Sequence, residues 1–76
     1  MKRPKINLPW PVVSRLIDIW IHNGHAQDIL KKKMHNEEIT FEHLAEEHHE
    51  SVQNLKNTYY QNKRILYSHI PTKYIA

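Results

Sequence analysis

The chain has no cysteine and a single glycine among its 76 residues. Without cysteine there is no disulfide framework and no thiolate metal site, a composition that fits a reducing, cytoplasmic setting. One glycine argues against a glycine-rich phosphate cradle and against tight hairpins. No apolar run approaches the roughly 18 residues of a membrane helix. Met1-Lys2-Arg3 looks like the start of a signal peptide, but Pro4, Pro9 and Pro11 interrupt the apolar segment one would need. The length suits one small domain, which buries only about 60% of the surface its unfolded chain exposes. A deep catalytic cleft is not expected, so function should lie on a surface.

Acid is missing from the whole of residues 51–76, which hold Lys56, Lys63, Arg64 and Lys73 and carry +4. Residues 34–50 lack Lys and Arg, hold six glutamates and carry −6. Residues 1–33 carry +5, and the net charge is +3. A chain divided in this way has an oriented field, suited to a polyanion at its basic faces. Helix faces of opposite sign that pair with one another would give the same pattern.

Hydrophobic spacing predicts an all-α domain of four short helices over residues 10–70. It is preceded by an extended basic arm (1–9) and followed by a tail (71–76). Val13, Leu16, Ile17, Trp20 and Ile21 form one apolar face of a helix over about 11–23, with Pro11 in its first turn and Gly24 as its C-terminal cap. Ala26, Ile29, Leu30 and Met34 mark a second helix over about 26–35, with Asp28 in its first turn and Lys31, Lys32 and Lys33 near its negative end. Asn36-Glu37-Glu38 reads as a turn. Thr40 caps a third helix, about 41–48, and Ser51 caps a fourth, about 52–67, that buries Val52, Leu55, Tyr59 and Leu66. Pro71 ends regular structure. Trp10 and Trp20 are expected in the core, and Tyr60 outward of Tyr59.

Only two or three residues separate the third and fourth helices, the spacing of a helix-turn-helix, in which the second helix enters the DNA major groove. The stretch from Thr40 to Asn57 resembles the helix-turn-helix of sigma-factor region four and of related response-regulator output domains. Leu44-Ala45-Glu46-Glu47, Ser51-Val52 and Leu55-Lys56-Asn57 occupy the relative positions of the family's pattern. With its basic arm, its Leu8-Pro9-Trp10-Pro11 opening and its Tyr-rich last helix, the whole chain is similar to small sigma-like proteins of Gram-positive phages and mobile elements. The resemblance implies a transcriptional regulator that binds double-stranded DNA. His48-His49-Glu50 stands where the family has Leu-Gly-apolar. His49 is therefore expected at a positive φ, the contact between the two helices is expected to be thin, and Glu50 is expected to place negative charge beside the last helix.

On this reading Gln53, Asn54, Lys56 and Asn57 face base edges. Asn and Gln offer bidentate bonds to adenine, and Lys reaches guanine or phosphate. Ser51, Tyr60, Lys63 and Arg64 contact the backbone. One module of this size makes few contacts, so a homodimer or a partner protein is expected to complete a specific site. A rival reading is a phage-type effector that docks its acidic strip on a basic host protein, such as RNA polymerase or a replication or defence factor.

Seven histidines are many for this length. His43 with Glu47, and His22 with His25, have spacings that can share a metal, but Glu42-His43-Leu44-Ala45-Glu46-Glu47-His48 is not HExxH, and no metal or other cofactor is expected. No nucleophile–base or paired-carboxylate arrangement with a pocket can be traced, so the chain does not read as an enzyme.

Overall fold

The computed structural model describes residues 6–36 and 38–75. The fold is all-α, with helices α1 (Trp10–Trp20), α2 (Gly24–His35), α3 (Phe41–His48) and α4 (Val52–Ser68), then a short 3-10 turn, Thr72–Tyr74. α4 packs against each of the other three, and α1 also packs against α2. The longest helix is thus the strut around which the domain is built. Val13, Ile17, Ile29, Leu30, Leu44, Leu55 and Leu66 are buried between the four helices, and each recurs at the helical spacing that makes one inward face.

α3 and α4 begin where their capping residues dictate. Thr40 Oγ1 accepts a hydrogen bond from the His43 N–H at 3.1 Å, and Ser51 Oγ accepts one from the Asn54 N–H at 3.1 Å. Each hydroxyl satisfies one of the donors that a helix start leaves unpaired.

The end of α1 is different from the sequence expectation. α1 stops at Trp20, and Ile21 is extended. Gly24 does not cap α1; it is the first residue of α2 and has no positive φ. The reason is Asn23, whose side chain accepts from the His25 and Ala26 N–H groups and starts the second helix early. Asp28 consequently lies in the second turn of α2. Trp20, expected in the core, is 38% exposed and stacks on His69, with ring centroids 3.9 Å apart. Trp10 is half-buried against the core and stacks on His35. Ile70, beyond the last α-helix, is buried and was not anticipated.

Pro71 ends α-helical structure, but the chain continues into the 3-10 turn. Ile75 then forms an antiparallel bridge with Ile6, and the Asn7 N–H donates to the Tyr74 carbonyl. Ile6 and Leu8 both pack against the core, as expected of anchors. The expected basic arm over residues 1–5 lies outside the described residues.

The α3–α4 connection closes with two hydrogen bonds that run backwards into α3. The Glu50 N–H donates to Ala45 O at 3.0 Å, and the His49 N–H donates to Glu46 O at 3.3 Å. This pair is the Schellman arrangement, which needs a left-handed residue just past the helix. His49 fills that position at φ 54, ψ 43, and is the only described non-glycine residue with a positive φ. Left-handed backbone costs an L-residue roughly 1–2 kcal/mol, and glycine nothing comparable. His49→Gly is therefore expected to raise stability by about 1 kcal/mol and the melting temperature by about 4–8 °C. Thermal unfolding followed by circular dichroism measures it; an unchanged or lower midpoint would contradict the strain assigned to His49.

Candidate nucleic-acid interface

Seven of the eight residues expected at a DNA surface lie on α4 and the eighth, Ser51, caps it, and the helical repeat sorts them. Gln53, Asn57, Tyr60 and Arg64 follow one another at steps of four, three and four, so they form a single outward strip. All four are exposed. Lys56 and Lys63 lie on the flank of this strip nearest α3, and both are half-buried. Asn54, also exposed, lies on the other flank, about 160° around the helix from Lys56. Ser51 stands at the helix start with its hydroxyl engaged by the cap. The structure therefore gathers Gln53, Lys56, Asn57, Tyr60, Lys63 and Arg64 and sets Asn54 to one side.

Within the strip, Gln53 Nε2 donates to Asn57 Oδ1 at 3.1 Å. The two amides hold one another in a fixed relative orientation, as side chains four apart on a helix can. Around Tyr60 a cluster of rings and cations was only partly foreseen. Tyr59 is 6% exposed and Tyr60 53%, the division expected of them. Phe41, from the first turn of α3, meets both rings, at 5.4 Å and 5.9 Å between centroids. Lys33 Nζ and Lys56 Nζ lie 4.8 Å and 5.6 Å from the Phe41 ring centre. Lys63 Nζ lies 5.4 Å from the Tyr59 ring and 5.5 Å from the Tyr67 ring. Cations at this range are drawn to the negative faces of aromatic rings. Phe41, Tyr67 and Lys33 were missing from the sequence-derived set. Tyr67 could have been found, because it follows Tyr60 by seven residues.

Asp18, Asp28, Glu47 and Glu50 are engaged elsewhere. Lys31 pairs with Asp18 at 2.6 Å, and Lys32 bridges Asp28 at 3.2 Å and Glu47 at 3.1 Å. The two acids beside Lys32 hold its ammonium pKa above the usual 10.5, chiefly through the Glu47 hydrogen bond. Lys32 thus favours folding below pH 10.5, and that contribution fades as pH rises through its raised folded value. It is a surface interaction and therefore a weak one. Among the described residues no carboxylate forms an ion pair with Lys56 or Arg64.

The turn before α4 departs from two expectations. His25 Nε2 lies 2.9 Å from Glu50 Oε1, so the Glu50 charge is directed at α2 and not at α4. The half-buried His48 meets the His25 ring edge-on at 4.8 Å, and its Nε2 is 3.1 Å from Asp28 Oδ2, though not aligned for a hydrogen bond. The thin contact expected between α3 and α4 is not found, since they pack as closely as any pair of helices in the fold, and the polar side chains of the turn dock on α2.

Of the two histidine spacings considered for metal binding, one pair meets and the other does not. His43 Nε2 is 3.6 Å from Glu47 Oε1, and His25 turns to Glu50 instead of His22. No described helix is long and apolar enough to cross a membrane. No family model, curated protein or solved structure matches the chain.

Proposed function

We propose that the chain is a small helix-turn-helix protein that binds double-stranded DNA, with α3 as the bracing helix and α4 in the major groove. The observation that carries this reading is the outward strip of Gln53, Asn57, Tyr60 and Arg64, flanked by Lys56 and Lys63, on a helix without acid. The pairing of Asp28, Glu47 and Glu50 with α2 and the α3–α4 turn supports it, because these carboxylates are turned to partners other than the cations that would meet phosphate. Gln53 and Asn57 would read adenine edges, and Lys56 would reach guanine or phosphate. Ser51, Tyr60, Lys63 and Arg64 would hold the backbone, with Asn54 at the edge of the contact. The likeness to sigma-factor region four supports a role as a transcriptional regulator, and the wider likeness of the chain supports a phage or mobile-element setting, with the protein acting as a homodimer or beside RNA polymerase. The rival, an effector that docks an acidic strip on a host protein, loses some support because Glu47 and Glu50 are paired, which leaves Glu38, Glu42 and Glu46 exposed without an ion pair among the described residues.

Binding to duplex DNA across salt concentration tests the proposal. Three phosphate contacts, by Lys56, Lys63 and Arg64, give a log–log slope near −2.7 and a fall of about 40-fold between 50 and 200 mM salt. Arg64→Ala is expected to weaken binding about fivefold on any sequence and to flatten the slope by about one. Absence of binding at low salt would reject the reading.

A further inference from the structure

Beside the strip, an open groove of about 400 Å³ is lined by Tyr60, Lys63, Arg64 and Tyr67. Contact with a closed duplex uses its cations and the Tyr60 hydroxyl but makes no use of the faces of its rings. The Tyr60 ring is half exposed yet steadied by two other rings, 5.1 Å from Tyr59 at an interplanar angle of 72° and 5.9 Å from Phe41 at 52°. A ring held in this way loses little freedom when a flat partner stacks on it. Lys63, within cation–π range of Tyr67, and Arg64 bring positive charge to the same groove.

The ligand that matches both features carries a flat π face and an anion a few ångströms apart. An unpaired nucleotide does, with its base and its own phosphate. A paired base hides its faces inside the stack, and an acidic peptide would satisfy the cations but not the rings. We propose that this groove is a stacking site for an unpaired nucleobase, so that α4 binds at a junction between duplex and single-stranded DNA. Its first half lies on the duplex, and its second half receives the first unpaired base. The spacing suits this division, because residues 60–67 stand about 5–15 Å along the helix from Asn57. The inference rests on the duplex-binding reading of α4 and adds a preference for unpaired bases to it.

Fluorescence anisotropy with three labelled DNAs tests it: a blunt duplex, the same duplex with a short thymine overhang, and the same duplex with an overhang of abasic units. The abasic overhang keeps the added phosphates and removes the base. The thymine overhang is expected to bind about tenfold tighter than the abasic one, within the range of a single base–aromatic stack. Tyr60→Phe should keep that difference and Tyr60→Leu should remove it. Equal affinity for the two overhangs overturns the stacking site; if the blunt duplex binds equally well too, the duplex reading survives alone. Failure of all three DNAs to bind rejects both. The comparison of overhangs is made on the unaltered chain, so it decides the question even if Tyr60→Leu does not fold.

Discussion

Leu55→Ala is expected to lower stability by about 3 kcal/mol and the melting temperature by roughly 12–24 °C. Leu55 is fully buried on α4, the helix that packs against all three others. Truncation removes apolar surface from the point where the helices converge, and it leaves a cavity that rigid neighbours only partly fill. A domain of this size has only about 4–11 kcal/mol to lose. Asn57→Ala, two residues along and exposed, should stay within about 0.5 kcal/mol. Paired thermal and urea unfolding curves measure the contrast, and an unchanged urea slope would show that the loss is one of stability. A Leu55→Ala melt within about 2 °C of the parent would mean that α4 is not the central strut.

What could be read from the sequence depended on whether the cause was local. α3 was expected over 41–48 and is found there, and α4 starts at Val52 as expected, because Thr40 and Ser51 act within three residues of themselves. His49 was expected at positive φ because it stands where the resembled family has its turn glycine, and it is found there in the left-handed position of the Schellman turn. The end of α1 was misplaced because Asn23-Gly24 can either close one helix or open the next, and only the Asn23 side chain settles which. Trp20 follows the apolar periodicity of its helix yet lies at the rim, stacked on a residue 49 positions away. The same holds for the paired charges. That Glu47 would meet Lys32, and Glu50 His25, depends on how α2 lies against the α3–α4 turn, which local pattern does not specify. Helical spacing placed Gln53 and Asn57 outward on α4, as found, but it grouped Asn54 and the half-buried Lys56 with them, and these lie on opposite flanks of the strip. The ring of Phe41 beside the strip was not legible, because it arrives from another helix.

Reversing two charges on α4 separates the DNA reading from its rival. Lys56→Glu with Arg64→Glu changes the local charge by four while leaving every core residue in place. Each lost attraction and each new repulsion at contact distance in water is worth about 1 kcal/mol, so duplex affinity at low salt should fall by at least ~100-fold. The salt dependence should also become shallower, by about two in log–log slope, as two phosphate contacts are lost. Lys56 complicates the comparison, because its ammonium lies 5.6 Å from the Phe41 ring and reversal forfeits that attraction as well. The doubly neutral Lys56→Gln, Arg64→Gln variant resolves this: it loses the same cation–π contact, carries no repulsion, and should bind with an affinity between parent and reversal. A partner held through Glu38, Glu42 and Glu46 would be indifferent to either variant, since none of these glutamates lies on α4 and all remain intact. The DNA reading is untenable if the reversed protein binds duplex within about threefold of the parent at low salt, a change too small for two phosphate contacts.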